Sequence, residues 1–286
     1  MYLTNSQPPE IVNLIKVDCK GDTKVDYAIT DMSATAVGAI AVTAGGGYLL
    51  LRVAMRPASQ LLGHTIVAGL DPNEVCLTYD DGPTEWNTMA ILEVLAKHKV
   101  RATFFMVGRN VKQNPNVARS VLDAGHLIGN HTMNHTKLIH CRPAEVRSEL
   151  SQCGKIIEDT LGCAVRYFRP PHGKRSPGVL RTAYDLGLLP VMWNVTCYDW
   201  NPIGSKAIRH YAERGISRNQ LKGCGSNILL HDGAQAVLAG EKFSTAEATD
   251  ALLRGYAADS QVRYVTPETW DKQRREFDQS RSEVWP

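Results

Sequence analysis

From residue 73 onward the chain alternates between two periods. Short apolar runs at about 75–80, 102–108, 126–131, 166–171, 190–195, 226–232 and 262–266 are separated by stretches with helical spacing. A run of that length reads as a strand buried on both faces. A helix after each strand is what a parallel sheet needs to bring the chain back to its starting edge. The helical stretches carry their own punctuation: "AEVRSELSQCGKIIEDTLG" is entered through Pro143 and stopped by Gly162, and "NVARSVLDAG" also ends on glycine. Seven such repeats predict an α/β fold with a parallel sheet, either open and doubly wound or closed as a barrel. Periodicity does not choose between the two.

At 286 residues and 43% hydrophobic the chain has enough apolar material for one large core. Its 32 basic and 29 acidic residues leave a net charge of +3, and no basic cluster is interleaved with aromatics, which argues against nucleic acid as a partner. No obligate protein partner is evident. No G-x-G-x-x-G follows the first strand, and "TAGGGYLLL" lies upstream in the wrong context, so a nucleotide fold is disfavoured. The seven cysteines make no C-x-x-C pair, which speaks against a disulfide framework or a cysteine-rich zinc site.

The first 72 residues have a different texture. Residues 1–31 carry scattered Lys and Asp without a period and read as a polar, poorly ordered segment. Residues 32–56 contain "SATAVGAIAVTAGGGYLLL" (33–51), near the roughly 20 residues a membrane span needs, followed by Arg52 and Arg56. The expectation is a membrane anchor or signal, and with it a cell-envelope location, anchored or exported. The competing readings are a Gly-rich soluble stretch in a cytoplasmic protein and a true start at Met32. Residues 57–72 read as a linker, 73–270 as the catalytic domain and 271–286 as a charged C-terminal tail.

Reactive residues collect at the carboxyl ends of the expected strands: Asp80 and Asp81, His131, Arg169, Asp199 and His231. In a βα barrel those ends share one rim, where active sites are built. Alone, Asp-Asp-Gly-Pro is a turn, and His131 and His135 a helix-surface coincidence; together they form a constellation. In "HTMNH" the spacing of His131 and His135 places both imidazoles on one side of a helical turn, where they can share a divalent ion with one carboxylate. Such a three-ligand site stays open to water and substrate. The other aspartate is then free to act as base, oriented by Arg169, while His231, tuned by Asp199, donates a proton to the leaving group. His64, His98, His126, His140 and His210 lack such partners and read as structural.

"TYDDGP", "HTMNH", "RPPHG", "YDW" and "LLHDG", in this order, resemble the five motifs of the polysaccharide deacetylase family, the NodB-homology domain of carbohydrate esterase family four. The resemblance implies a deformed, TIM-like (β/α) barrel of about seven parallel strands that removes acetyl groups from polymers such as peptidoglycan, chitin or xylan. It assigns Asp80 as base, Asp81, His131 and His135 as ligands of one divalent ion (zinc first, cobalt or another ion as alternatives), Arg169 to the base, and His231 with Asp199 as acid. Pro171 and His172 would border the substrate, with the His172 backbone N–H facing the oxyanion, and Trp200 and Leu229 would receive the acetyl methyl. Tyr79 and His172 stand where the family has Phe and Tyr, and the second change touches sugar preference. The implied function is N-deacetylation of an acetylated amino-sugar polymer. The alternatives are hydrolysis of a small amide or of acetyl esters on xylan, and a catalytically silent glycan-binding protein.

Overall fold

The computed structural model describes residues 52–233, 243–257, 259 and 261–284, together with Leu50 and a short antiparallel pairing of 16–17 with 23–24. The strands are β1 (Glu74–Asp80), β2 (Thr103–Met106), β3 (Leu127–Asn130), β4 (Tyr167–Phe168), β5 (Leu189–Pro190), β6 (Val195–Thr196), β7 (Ser226–His231) and β8 (Arg263–Tyr264). Helices α1 (Glu85–His98), α2 (Gly108–Gln113), α3 (Pro115–Asp123), α4 (Pro143–Leu161), α5 (Pro177–Asp185), α6 (Gly204–Leu221), α7 (Ser244–Tyr256) and α8 (Pro267–Val284) connect and flank them.

All pairings in the main sheet are parallel, in the order β5-β4-β3-β2-β1-β7-β6, with β8 beside the start of β1. The sheet is a curled, open half-barrel of seven parallel strands plus β8. This is the deformed barrel, not the open doubly wound sheet. The expected strand at 190–195 is instead two short strands, β5 and β6, because Met192 and Trp193 between them turn into an apolar cluster with Leu229.

Side-chain alternation sorts β1 into two faces. Val75, Leu77 and Tyr79 join Phe104, Met106, Ile128, Ile228 and Leu230 in the core beneath the helices. The opposite face, carrying Thr78 and Asp80, lines the barrel interior with Phe105, Tyr167 and Val191. At the amino-terminal end the barrel is closed by α8. Trp270 Nε1 donates to Glu74 Oε2 (2.8 Å), and the Tyr167 hydroxyl donates to Asp271 Oδ2 (3.1 Å).

Residues ahead of β1 also touch the domain. Ile66 bridges in parallel to Val191, and the buried Arg175 donates to the carbonyls of Arg56 (2.9 Å) and Ser59 (2.7 Å). The expectation of a membrane anchor and an envelope location is corrected here. Among the described residues no helix is long and apolar enough to cross a membrane. The helices of sufficient length, such as α4 and α6, spread charges around their surfaces. The segment 33–51 itself lies outside the described residues apart from Leu50.

Helix α6 runs through Gly215 without a break. A Cβ at Gly215 would lie 2.3 Å from Val195 Cγ1, so glycine is what lets α6 approach β6. In an exposed helix Gly→Ala gains about 1 kcal/mol. Here overpacking, typically about 1–3 kcal/mol, opposes that gain. Gly215→Ala is expected to lower the urea midpoint, and adding Val195→Ala to remove most of the clash, giving a non-additive pair in a double-mutant cycle.

Candidate active site

Register brings the reactive groups together. Asp80 of β1 pairs directly with His231 of β7, so the two side chains leave neighbouring strands on the same face. His131 and Arg169 immediately follow the paired residues Asn130 and Phe168 of β3 and β4, one step beyond the ladder and on the barrel side. Residues more than 150 positions apart therefore meet at one mouth, as the strand-end placement predicts.

Asp81, not Asp80, faces both imidazoles. Its Oδ1 lies 3.2 Å from His131 Nε2 and 3.0 Å from His135 Nε2, and one donor atom from each of the three residues falls within 4.8 Å of the others. The helical turn expected at 131–135 is absent. Thr132 (φ 67°) and His135 (φ 59°) adopt left-handed backbone, and this loop aims both rings inward. Thr132 N–H donates to Asn130 Oδ1 (2.9 Å) and Met133 N–H to the Glu149 carbonyl (3.0 Å), which holds the loop in place.

The donor set fits a divalent cation. His131 Nδ1 lies 2.7 Å from the Arg169 carbonyl, which can only accept, so Nδ1 carries a proton and the ring, when neutral, turns the lone pair of Nε2 toward Asp81. Asp81 Oδ1 is buried and receives no well-directed hydrogen bond. A lone pair facing a buried carboxylate oxygen is repulsive unless positive charge lies between them. The electrostatics likewise call for positive charge between these groups, which a cation or a second ring proton supplies. Burial opposes protonation of His131, but Asp80 and Asp81 outweigh it and raise its pKa. Asp81 is held well below the usual carboxylate range, with the histidines overcoming the effect of burial. Two imidazole nitrogens and one carboxylate suit a catalytic three-ligand site, zinc being one ion that fits.

Asp80 is held through Oδ1 by Arg169, which is fully buried, while its Oδ2 lies 3.9 Å from His131 Nε2. Arg169 Nη1 donates to Asp80 Oδ1 (2.8 Å) and Thr78 Oγ1 (2.7 Å), Nε donates to the Val191 carbonyl (3.2 Å), and Nη2 donates to the Met192 carbonyl (3.2 Å). Its guanidinium also lies 4.2 Å over the Phe105 ring. Thr78, Asn227 and Phe105 are supports that sequence reasoning missed; their only signal was the period-2 parity of their strands.

His231 is bound twice by Asp199, whose Oδ2 accepts from the His231 backbone N–H (2.7 Å) while Oδ1 lies 2.9 Å from Nδ1. Burial opposes a charged imidazole here, but Asp199, with Asp81 and Asp80, pushes the His231 pKa up to about 9. Trp200 stands edge-on to His231, at 5.3 Å between ring centroids. Leu229 and Trp200 join Met192, Trp193 and Val67 in one apolar cluster beside the mouth. Pro171 is buried in a short 3-10 turn, and His172 (φ 57°) packs edge-on against His135 at 4.7 Å.

Asp232, present in "LLHDG" but unassigned from sequence, anchors the turn after the aspartate pair. Its Oδ1 accepts from Gly82 N–H (3.0 Å) and its Oδ2 from the Thr88 hydroxyl (2.6 Å), and a Cβ at Gly82 would collide with this carboxylate at 2.1 Å. Burial, partly offset by the Thr88 bond and reinforced by Asp81 and Asp80, raises the Asp232 pKa from 3.8 to about 7. The folded chain thus keeps a proton that the unfolded chain releases, and this stabilisation is lost as pH rises from about 4 to about 7. In metal-free protein, Asp232→Asn is expected to gain in urea midpoint over wild type across that window and to level off above it. A difference that does not change with pH would contradict the shift.

The polysaccharide deacetylase family model matches residues 68–191. The chitooligosaccharide deacetylase of Bradyrhizobium sp. (strain ANU 289) is 37% identical over 176 residues, covering 61% of this chain and 76% of the relative. Among solved structures, a peptidoglycan N-acetylglucosamine deacetylase superposes with a TM-score of 0.62 at 28% identity, over 72% of this chain and 91% of that one. A family 4 acetyl xylan esterase from Clostridium thermocellum, bound to cobalt, gives 0.61 at 27% identity, over 70% and 91%. With the five motifs gathered at one barrel mouth, these similarities mean that the chain belongs to the polysaccharide deacetylase family and is a deacetylating hydrolase.

Proposed function

We propose that the protein hydrolyses N-acetyl groups on an amino-sugar polymer, with Asp80 as base, His231 as acid, and Asp81, His131 and His135 holding one zinc ion. The observation that carries this reading is the division of labour within the aspartate pair. Asp81 turns to the two imidazoles while Asp80 turns to Arg169. Asp81, His131 and His135 would hold the divalent ion, which would supply Lewis-acid polarisation of the amide carbonyl and a lowered pKa for water. Asp80, its Oδ1 tied to Arg169, keeps its other oxygen for the proton of the attacking water. Across the bond, His231 releases a proton to the leaving nitrogen, and Asp199 stabilises the charged ring before transfer. Trp200 and Leu229 form the apolar wall that receives the methyl, and the left-handed turn at His172 sets its backbone N–H for the oxyanion.

The amino-sugar polymer rests on the chitooligosaccharide and peptidoglycan relatives. A second reading, hydrolysis of acetyl esters on xylan, rests on the equally close esterase structure. The two separate when the full chain, loaded with Zn²⁺ or Co²⁺, is assayed for acetate release from chito-oligosaccharides, peptidoglycan and acetylated xylan. Release from the amino sugars, lost on chelation and restored by metal, is the expected result, with Asp80→Asn lowering kcat about 10²- to 10⁴-fold. Release from xylan alone would move the assignment to the ester. No release from any of the three by folded, metal-loaded protein would leave glycan binding without catalysis.

The acid assignment has its own pH signature. Protonated His231 is the active form, so activity should fall as pH rises through about 9. Asp199→Asn removes the principal charge that holds the proton and should bring this alkaline limb down by roughly 1–3 pH units. An unmoved limb would assign it to another group.

A further inference from the structure

Aromatic side chains continue from the site to the surface. Trp200, in contact with His231, meets Tyr198 at 5.5 Å between ring centroids, and Tyr198 meets Tyr211 of α6 at 5.2 Å, with interplanar angles of 63° and 69°. Trp200 is half-buried, but Tyr198 and Tyr211 remain 44% and 39% exposed. Neither tyrosine belongs to the buried clusters that build the core or line the mouth. They form an open aromatic shelf joined to the acid through one intervening ring.

The backbone singles out Tyr198. Its flanking residues, Cys197 and Asp199, are both buried, whereas Tyr198 takes a left-handed φ of 57° and turns outward. Such a conformation is strained for a residue with a Cβ. It persists where the surroundings over-determine it, and it collects at sites that hold ligands. The surroundings are evident here: Asp199 is tied to the backbone and ring of His231 and to the Thr245 hydroxyl (3.0 Å). The outward tyrosine is thereby fixed relative to the acid.

Resting on the deacetylase reading above, we infer that Tyr198 and Tyr211 form a distal sugar subsite that selects polymer over short substrates. A pyranose ring offers a face of C–H bonds and a rim of hydroxyls. Exposed tyrosines match both, with an apolar face for stacking and a hydroxyl for the rim. Because the shelf starts beyond Trp200, two and three ring steps out from His231, a chain whose reacting sugar lies at the mouth lays on it a sugar beyond the immediate neighbour, which a dimer does not have.

The test uses the full, Zn²⁺-loaded chain and acetate-release kinetics on chito-oligosaccharides from dimer to hexamer. Tyr211→Ala and Tyr198→Asn, the latter chosen because Asn tolerates left-handed backbone, should each lower the hexamer-to-dimer ratio of kcat/KM by about ten-fold, mainly through KM. Tyr211→Phe, which keeps the ring, should restore most of the ratio. A ratio unchanged in Tyr211→Ala, or an equal fall at every length, would overturn the subsite; if Tyr198→Asn does not fold, Tyr211→Ala decides alone. Should wild type release no acetate, the deacetylase reading fails, and calorimetric titration with chitohexaose judges the shelf separately. Weaker binding by Tyr211→Ala than by wild type then supports it, and equal binding or none by wild type rejects it.

Discussion

The ion pair of Arg169 with Asp80 is the contact on which the rest of the mouth depends. A guanidinium removed from water loses several kcal/mol of solvation, and only a complete set of acceptors recovers it. Arg169 has that set from β1, from the turn after β5 and from β7, through Asp80 and Thr78, the Val191 and Met192 carbonyls, and Asn227. It therefore fills the barrel interior while tying non-adjacent strands. Its own carbonyl accepts from His131 Nδ1, so one residue orients the proposed base through its side chain and sets the tautomer of a proposed metal ligand through its backbone. Loss of either partner in such a pair typically costs about 3–5 kcal/mol, because the remaining charge stays buried.

Strain is concentrated around this contact. Of the seven non-glycine residues with positive φ among the described residues, five are Asp81, Thr132, His135, His172 and Tyr198, all in loops at the mouth. The supports are local and polar: Asp232 on Gly82, Asn130 on Thr132, and Asn110 Nδ2 on the Asp81 carbonyl at 2.7 Å. Short left-handed turns let several side chains converge from the ends of separate strands, a geometry that a regular helix at any one of them would not provide. The closed amino-terminal end, packed by Trp270 and Asp271, supplies rigidity away from the chemistry.

Much of this was legible in the chain. The alternation of strand and helix periods depends on side chains a few positions apart, and Asp80, His131, Arg169 and His231 fall at strand ends as that alternation places them. Other features had no local signature. The run at 190–195 is apolar like a strand, yet Met192 and Trp193 leave the sheet to pack on Leu229. Gly215 sits inside α6 because Val195 lies against it and leaves no room for a Cβ. Asp232 and Asn227 are polar residues in an apolar strand or just past it, and only their distant partners reveal their purpose.

By itself, the sequence determined which chemical groups exist, their order, and the strand ends from which they project, since period and motif are properties of neighbouring residues. The tertiary structure alone decided that His131 and His135 converge through a left-handed loop instead of a helix and that Tyr211 joins Tyr198 beyond Trp200; the turn of Asp81 to the imidazoles and of Asp80 to Arg169 was implied by the family motifs but not by period or spacing. Those choices turn on ångström-scale distances between atoms far apart in the chain. The register of β1 on β2 and β7, of β2 on β3 and of β3 on β4 sets these distances, and a linear pattern does not contain them.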